Sequence, residues 1–176
     1  QEVLKKYSAD ALRYWAGGSK LGEDIAYQEK ELVAGDKFVI KFWNASKFTA
    51  IHLKDINPKQ LPEPTQAIDK WILTKLASTI KEATKAFDDY EYAKAKALIE
   101  KFFWTDFCDN YLELSKTRLY EPKEQSQKTS AQKAIYVCLS ALVRLMAPFT
   151  PFITEEVYHN YLHSFEGYSS VHVAKW

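Results

Sequence analysis

The sequence predicts an all-α fold, a bundle of four long helices with short flanking ones. Three observations carry that expectation. Apolar residues recur at three-to-four spacing over runs of more than twenty residues, the period of one buried helix face. Glycine and proline gather between those runs, at Gly17-Gly18, at Pro58, Pro62 and Pro64, and at Pro148 and Pro151. No self-similarity appears at about 34 or 40 residues, which argues against a stacked helical-repeat scaffold. With 176 residues, 47% of them hydrophobic, the chain is long enough to bury one sizeable core.

Taken in order, a short helix is expected over Val3 to Trp15, stopped by the glycine pair. "GEDIAY" alternates briefly and reads as extended. A long helix follows from about Gln28 to His52, and the three prolines then form a stiff connector. The next helix runs from about Pro64 to Phe87, with Ile68, Trp71, Ile72, Leu76 and Ile80 inward and Asp88-Asp89 closing it. A third starts near Tyr92 and reaches about Tyr120. The polar run "EPKEQSQKTS" reads as a loop open to proteolysis. The very apolar "AIYVCLSALVRLM" marks a buried helix from about Ala131 to Met146. Thr150 is the expected N-cap of a short last helix with Pro151 at its first position. The tail "SSVHVAKW" looks strand-like.

Composition limits the function. Lys plus Arg number 24 and Asp plus Glu 23, so the net charge is +1 and no global field announces a polyanion partner. Any nucleic-acid surface must be local. Cys108 and Cys138, each among apolar neighbours, read as reduced core thiols and suit a cytoplasmic protein. No run is apolar and long enough to span a bilayer, and the first residues lack the pattern of a signal peptide. The chain opens without an initiator methionine and reads as a piece of something larger.

Several stretches imitate catalytic or metal motifs. "GGSKLG" places Ser19 before Lys20, with no strand leading in, so it reads as a helix stop and not a phosphate loop. Glu156 and His159 form one Glu-x-x-His unit where a di-iron bundle needs two. His159 and His163 lie one turn apart, a spacing better explained by the dipole at a helix end than by a metal. In "FFWTDFCDNYLE" and the leucine after it, Phe103, Phe107, Tyr111 and Leu114 trace a buried face. Asp106, Asp109, Asn110 and Glu113 take much of the remaining surface, where they read as a polar face or as salt-bridge partners.

One pattern is harder to dismiss. On the first long helix Leu32, Val39, Phe42, Trp43, Ala50 and Leu53 cluster on one side. Lys30, Lys37, Lys41 and Phe48 fall opposite, nearly in line, with Asn44 beside them. The plain reading is a solvated lysine face with one stray ring. Lysines tracking phosphates beside an exposed ring are also what a single-stranded RNA loop requires.

Five segments in fixed order resemble valyl-tRNA synthetases, class I aminoacyl-tRNA ligases, over nearly the whole chain. "YSADALRYWAGGSKLGEDI" is similar to the segment after the lysine-serine loop of that family, and "FWNASKF" to its first bundle helix. "DKWILTKL" resembles the opening of its second helix, "FFWTDFCDNYLELSKTRLY" its third, and "LMAPFTPFITEEVY" the junction of its fourth and fifth. Isoleucyl enzymes share "DALR" and "WN", but tend to carry a basic run in the third helix where this chain has "NYLELSKTRLY".

The resemblance implies a division into residues 1–26, the end of a stem-contact linker; 27–163, a helical anticodon-binding domain; and 164–176, the start of a C-terminal extension. It implies tRNA(Val) as partner, with Lys30, Lys41 and Phe48 at positions of expected anticodon-loop contact. Lys37 and Asn44 join them from the spacing above. Lys30 stands where some relatives place arginine, which a bidentate contact would need. Asp10, Arg13 and Trp15 are expected to fix the linker to the catalytic domain. ATP and Mg²⁺ would serve catalytic and editing domains elsewhere in the parent chain, because neither class I signature motif occurs here. These residues are therefore expected to bind no cofactor and to catalyse nothing. The competing readings are the same domain of an isoleucyl enzyme and a helical protein-interaction module.

Overall fold

The computed structural model describes residues 2–24, 26–54 and 56–175. Among them the chain is helical throughout, with no strand. α1 (Val3–Lys6) and α2 (Ala9–Ala16) replace the single first helix expected. The break falls at Ser8, whose hydroxyl accepts the Ala11 N–H and donates to Asp36 at 2.6 Å. A serine that caps one helix while tied to another cannot sit inside a continuous one. "GEDIAY" forms no strand among its described residues, and Ile25 lies outside them.

α3 (Glu29–Leu53) and α4 (Ala67–Asp88) follow, joined by a 3₁₀ turn over Pro58–Gln60. α5 (Tyr92–Lys101), a π-helical stretch over Phe102–Leu112 and α6 (Glu113–Tyr120) make one continuous rod, the expected third helix. α7 (Gln125–Met146) begins six residues before the position expected from its apolar run. Its polar start is helix from Gln125 and not loop, fastened from its second turn: Ser130 is buried against Asp69, and the Gln132 amide donates to the His52 carbonyl at 2.7 Å. α8 (Pro151–Val157), a π turn over Tyr158–Leu162 and α9 (His163–Glu166) lie along α3 and α7.

The π stretch has a consequence for packing. Phe103, Phe107, Tyr111, Ser115 and Leu119 are all buried, at an unbroken spacing of four. An α-helix averages 3.6 residues per turn and would rotate such a row away from the core; the wider π turn holds it in place. Leu114, expected on this face from α-helical spacing, is 60% exposed instead. The core centres on the rings of Phe38, Phe42 and Phe103, with Phe107 and Tyr111 stacked below them.

α2 is locked onto the bundle. Asp10 is buried and accepts the backbone N–H groups of Phe152 at 3.2 Å and Ile153 at 2.7 Å. It thereby caps α8 across 142 residues of sequence. Thr150, the expected cap, makes no capping bond; its hydroxyl donates back to the Met146 carbonyl. Arg13 donates to the Pro148 carbonyl at 2.9 Å, so two of the three side chains assigned to a linker, Asp10 and Arg13, pin α2 to the α7–α8 junction. Lys96 of α5 lies with its Nζ 3.5 Å from the centre of the Tyr14 ring and 2.9 Å from Glu100.

Gly35 permits the α2–α3 contact. A Cβ there would stand 2.8 Å from the Ala11 Cα and 2.9 Å from the Ala11 carbonyl oxygen, both backbone atoms with nowhere to move. In an isolated helix, Gly→Ala gains about 1 kcal/mol. Here that gain is outweighed by overpacking of about 1–3 kcal/mol. Gly35→Ala should therefore lower the denaturation midpoint, and a raised midpoint would show that α2 slides aside freely.

Among its described residues the tail forms no strand. Val171–Val173 forms a 3₁₀ turn, with Val171 buried, and Glu155 accepts from the Ser170 hydroxyl and the Val171 N–H, each at 2.9 Å. Glu166 clamps α9 to α7 through Arg144 and the Ser140 hydroxyl.

Candidate nucleic-acid interface

α3 carries every residue singled out for RNA contact. Its buried line runs through Leu32, Gly35, Phe38, Phe42, Ala45, Ser46, Thr49, His52 and Leu53. That line is rotated by roughly 60°, at about 100° per residue, toward the lysines from the side expected. The reason is Phe38, a fully buried ring that the apolar cluster read from the sequence leaves out. Val39, Trp43 and Ala50 become half-buried flanking residues, Trp43 against the Tyr161 ring.

The lysine stripe therefore flanks the core. Lys37 and Asn44 are exposed, and Lys41 is half-buried with its Nζ 5.8 Å from the Trp104 ring centre. Lys30 is exposed in the first turn of α3, too far along the helix to line the same depression. Phe48, read as an exposed ring, is half-buried: it meets the His52 ring edge-on at 4.7 Å, and His52 meets Tyr120 at 4.6 Å.

Lys41, Asn44 and Phe48 are brought together in one groove of about 160 Å³ between α3 and the third helix. Its opposite wall is Cys108, Leu112, Glu113 and Lys116. Glu113 and Lys116 form an ion pair at 2.6 Å on the rim. Sequence reasoning placed Glu113 on a polar face but had no means of setting that face against α3. The only available signal was that Glu113 follows the aromatic run within one turn. Burial pushes the Cys108 thiol up to about 12, which makes it an inert wall and not a nucleophile. The floor is apolar, the wall from the third helix offers a carboxylate and an ammonium group, and the α3 wall offers an ammonium group, an amide and a ring. Such a set can hold a planar heterocycle and hydrogen-bond its edge.

His52, beneath Phe48, is buried, and its Nε2 has no hydrogen-bond partner among the described residues. Burial first, and the Lys128 charge second, hold its pKa below 6.5. A depressed imidazole takes up its proton less readily in the folded chain than in the unfolded one. Its stabilising contribution is complete above about pH 6.5 and is lost as the pH falls below that value. The melting temperature should thus drop on acidification from pH 7.5 to 5.5, and by less in His52→Phe. An identical drop in both proteins would place the acid sensitivity elsewhere.

The histidines of the last helix are engaged locally. His159 lies 3.0 Å from Glu155, while Glu156 accepts from Asn160, so the Glu-x-x-His pair of the sequence does not meet. Neither aspartate of the aromatic run faces the core: Asp109 is exposed and Asp106 half-exposed. No helix of the described residues is long and apolar enough to cross a membrane.

Comparison with known proteins bears on this geometry. Residues 69–176 match the model of the anticodon-binding domain of tRNA ligase. A valine–tRNA ligase of Ehrlichia ruminantium is 44% identical over 158 residues, which cover 89% of this chain and 20% of that protein. One from Wolbachia pipientis is 44% identical over 170 residues (97% and 19%), and one from Methanothermobacter thermautotrophicus 41% over all 176 (100% and 19%). The chain thus spans about a fifth of the length of these relatives. A solved ternary LeuRS–tRNA–LeuAMS complex from Agrobacterium radiobacter shares the fold at a TM-score of 0.62, with 20% identity over 90% of this chain and 19% of its own. The family match over residues 69–176, with identities of 41–44% over 89–100% of this chain, identifies the chain as a member of the anticodon-binding domain family of tRNA ligases.

Proposed function

We propose that this chain is the part of a valine–tRNA ligase that reads the anticodon loop of tRNA(Val) and docks the tRNA for ATP-dependent valylation. The parent protein's catalytic and editing domains, with their ATP and Mg²⁺, would supply the chemistry in the cytoplasm. The observation that carries the reading is the groove in which Lys41, Asn44 and Phe48 face Glu113 and Lys116. Lys37 and Lys41 would follow phosphates, with Lys30 extending the positive line toward the start of α3. Phe48 would stack an unstacked base, and Asn44 and Glu113 would meet its polar edge. Glu113 accepts hydrogen bonds only, so it favours a base that presents an exocyclic amine, such as cytosine. Valine anticodons end in A-C and isoleucine anticodons in A-U, so this contact separates the two.

The test is binding of anticodon stem-loops across salt concentrations. Lys41→Ala should reduce the salt slope by about 0.7. Phe48→Leu, which keeps the packing against His52 but removes the ring face, should cost about 1–3 kcal/mol with the slope unchanged. The A-C loop should bind about 1–3 kcal/mol more tightly than the A-U loop. Equal affinity for both loops would limit the groove to phosphate docking. No salt dependence at all would favour a protein partner instead.

A further inference from the structure

A second groove, of about 700 Å³, runs along the opposite flank of α3, between its last turns and the final helices. Its floor is apolar, with Ala50, Ile51, Leu53 and Ile56, and the half-buried rings of Tyr161 and Phe165 stand in its wall. Lys47 and Lys54 sit exposed on its edge, and among the described residues they have no ion-pair partner and no lining residue is acidic. Two asparagines complete it. Asn57 Oδ1 accepts the Lys59 N–H at 3.0 Å, which leaves its Nδ2 hydrogens to donate. Asn160 uses its Nδ2 on the Glu156 carbonyl and carboxylate at 2.7 and 2.8 Å, which leaves Oδ1 to accept. The groove therefore presents rings, amide donors and an amide acceptor, and an edge of two lysines with no ion-pair partner among the described residues.

We propose that this groove holds a second unpaired nucleotide of the same RNA loop, its base against Tyr161 or Phe165 and its phosphate on Lys47 and Lys54. The inference rests on the function proposed above. Charge complementarity selects the occupant: two lysines with no ion-pair partner among the described residues match a phosphodiester, and an amide donor and an amide acceptor lining the same groove match the edge of a base. A cleft of this size accepts a nucleoside. Continuity with the first groove supports the same strand, since only the body of α3 lies between Phe48 and Lys47. A helix with its side chains is about 10–12 Å across. Roughly three nucleotides cover that distance even at the 3.4 Å rise of a stacked strand.

The experiment uses the 176-residue chain and an anticodon stem-loop carrying 2-aminopurine at one loop position at a time. Two separate positions should change fluorescence on binding. Lys47→Glu with Lys54→Glu should abolish the change at one of them and leave the other. The same variant should weaken binding about tenfold at 0.1 M salt and lower the salt slope by about 1 to 1.5. Lys41→Ala with Asn44→Ala should do the reverse. Both lysines are exposed, so an unaltered melting temperature serves as the folding control. Signals and affinity unchanged in the Lys47→Glu, Lys54→Glu variant would overturn the second site while leaving the first groove standing. The same holds if that variant loses binding only to an acidic amphipathic peptide, which would reassign the groove to a protein partner. Failure of the unaltered chain to bind any stem-loop would overturn both readings.

Discussion

Replacing Asp69 by alanine is expected to cost the bundle about 3–5 kcal/mol. Asp69 is fully buried in the first turn of α4 and ties three helices together. Arg118 donates to both of its oxygens at 2.7 Å, the Tyr111 hydroxyl to Oδ1 at 2.6 Å, and the Ser130 hydroxyl to Oδ2 at 2.6 Å. Ser130 in turn accepts the N–H groups of Thr65 and Gln66, which closes the open start of α4. The alanine variant strands a guanidinium whose side chain is only 15% exposed, along with two hydroxyl donors. Desolvating an unpaired charge outweighs the modest net worth of the bonds themselves. Urea denaturation at pH 7 should show a lower midpoint with an unchanged slope. A loss below about 1 kcal/mol would mean that water reaches Arg118 and takes over the role of the carboxylate.

Phe107→Ala should cost about 3–5 kcal/mol. The ring is fully buried, stacked between Phe102 and Tyr111 at centroid distances of 6.5 and 6.4 Å, and the rod that carries it is held on both sides by α4 and α7. Such a site cannot collapse onto the lost volume, so the cavity adds to the transfer term. Leu114→Ala provides the contrast. If the π spacing holds, Leu114 is a surface residue and its loss costs within about 0.5 kcal/mol. Under α-helical spacing Leu114 would replace Ser115 in the core, and its truncation would cost about 2–5 kcal/mol. Denaturation midpoints of the two variants thus test the π register directly. Asp106→Asn should leave stability nearly unchanged, because Asp106 is half-exposed and forms no ion pair among the described residues.

The sequence by itself determined the helical class and most of the helix bounds. Apolar period and the placement of Pro and Gly are local properties, and local sterics and the need to bury one face act on them directly. α3 and the long third rod end where that period ends. The third rod also determined the family resemblance, because its aromatic run is unbroken in sequence. Tertiary structure decided what depends on partners distant in the chain. The polar start of α7 is helical because Asp69 and the His52 carbonyl need Ser130 and Gln132, and no window of a few residues contains that information. The cap of α8 comes from Asp10, and the π turn keeps a spacing of four buried where α-helical geometry would expose it. The groove shows the same division. Spacing along α3 aligned Lys41, Asn44 and Phe48, but Glu113 and Lys116 joined them only when the third helix packed alongside. Phe38 determined how far α3 turned its lysines from the core. A helix settles at the rotation that buries its largest rings, and that angle depends on the volumes of the side chains it meets.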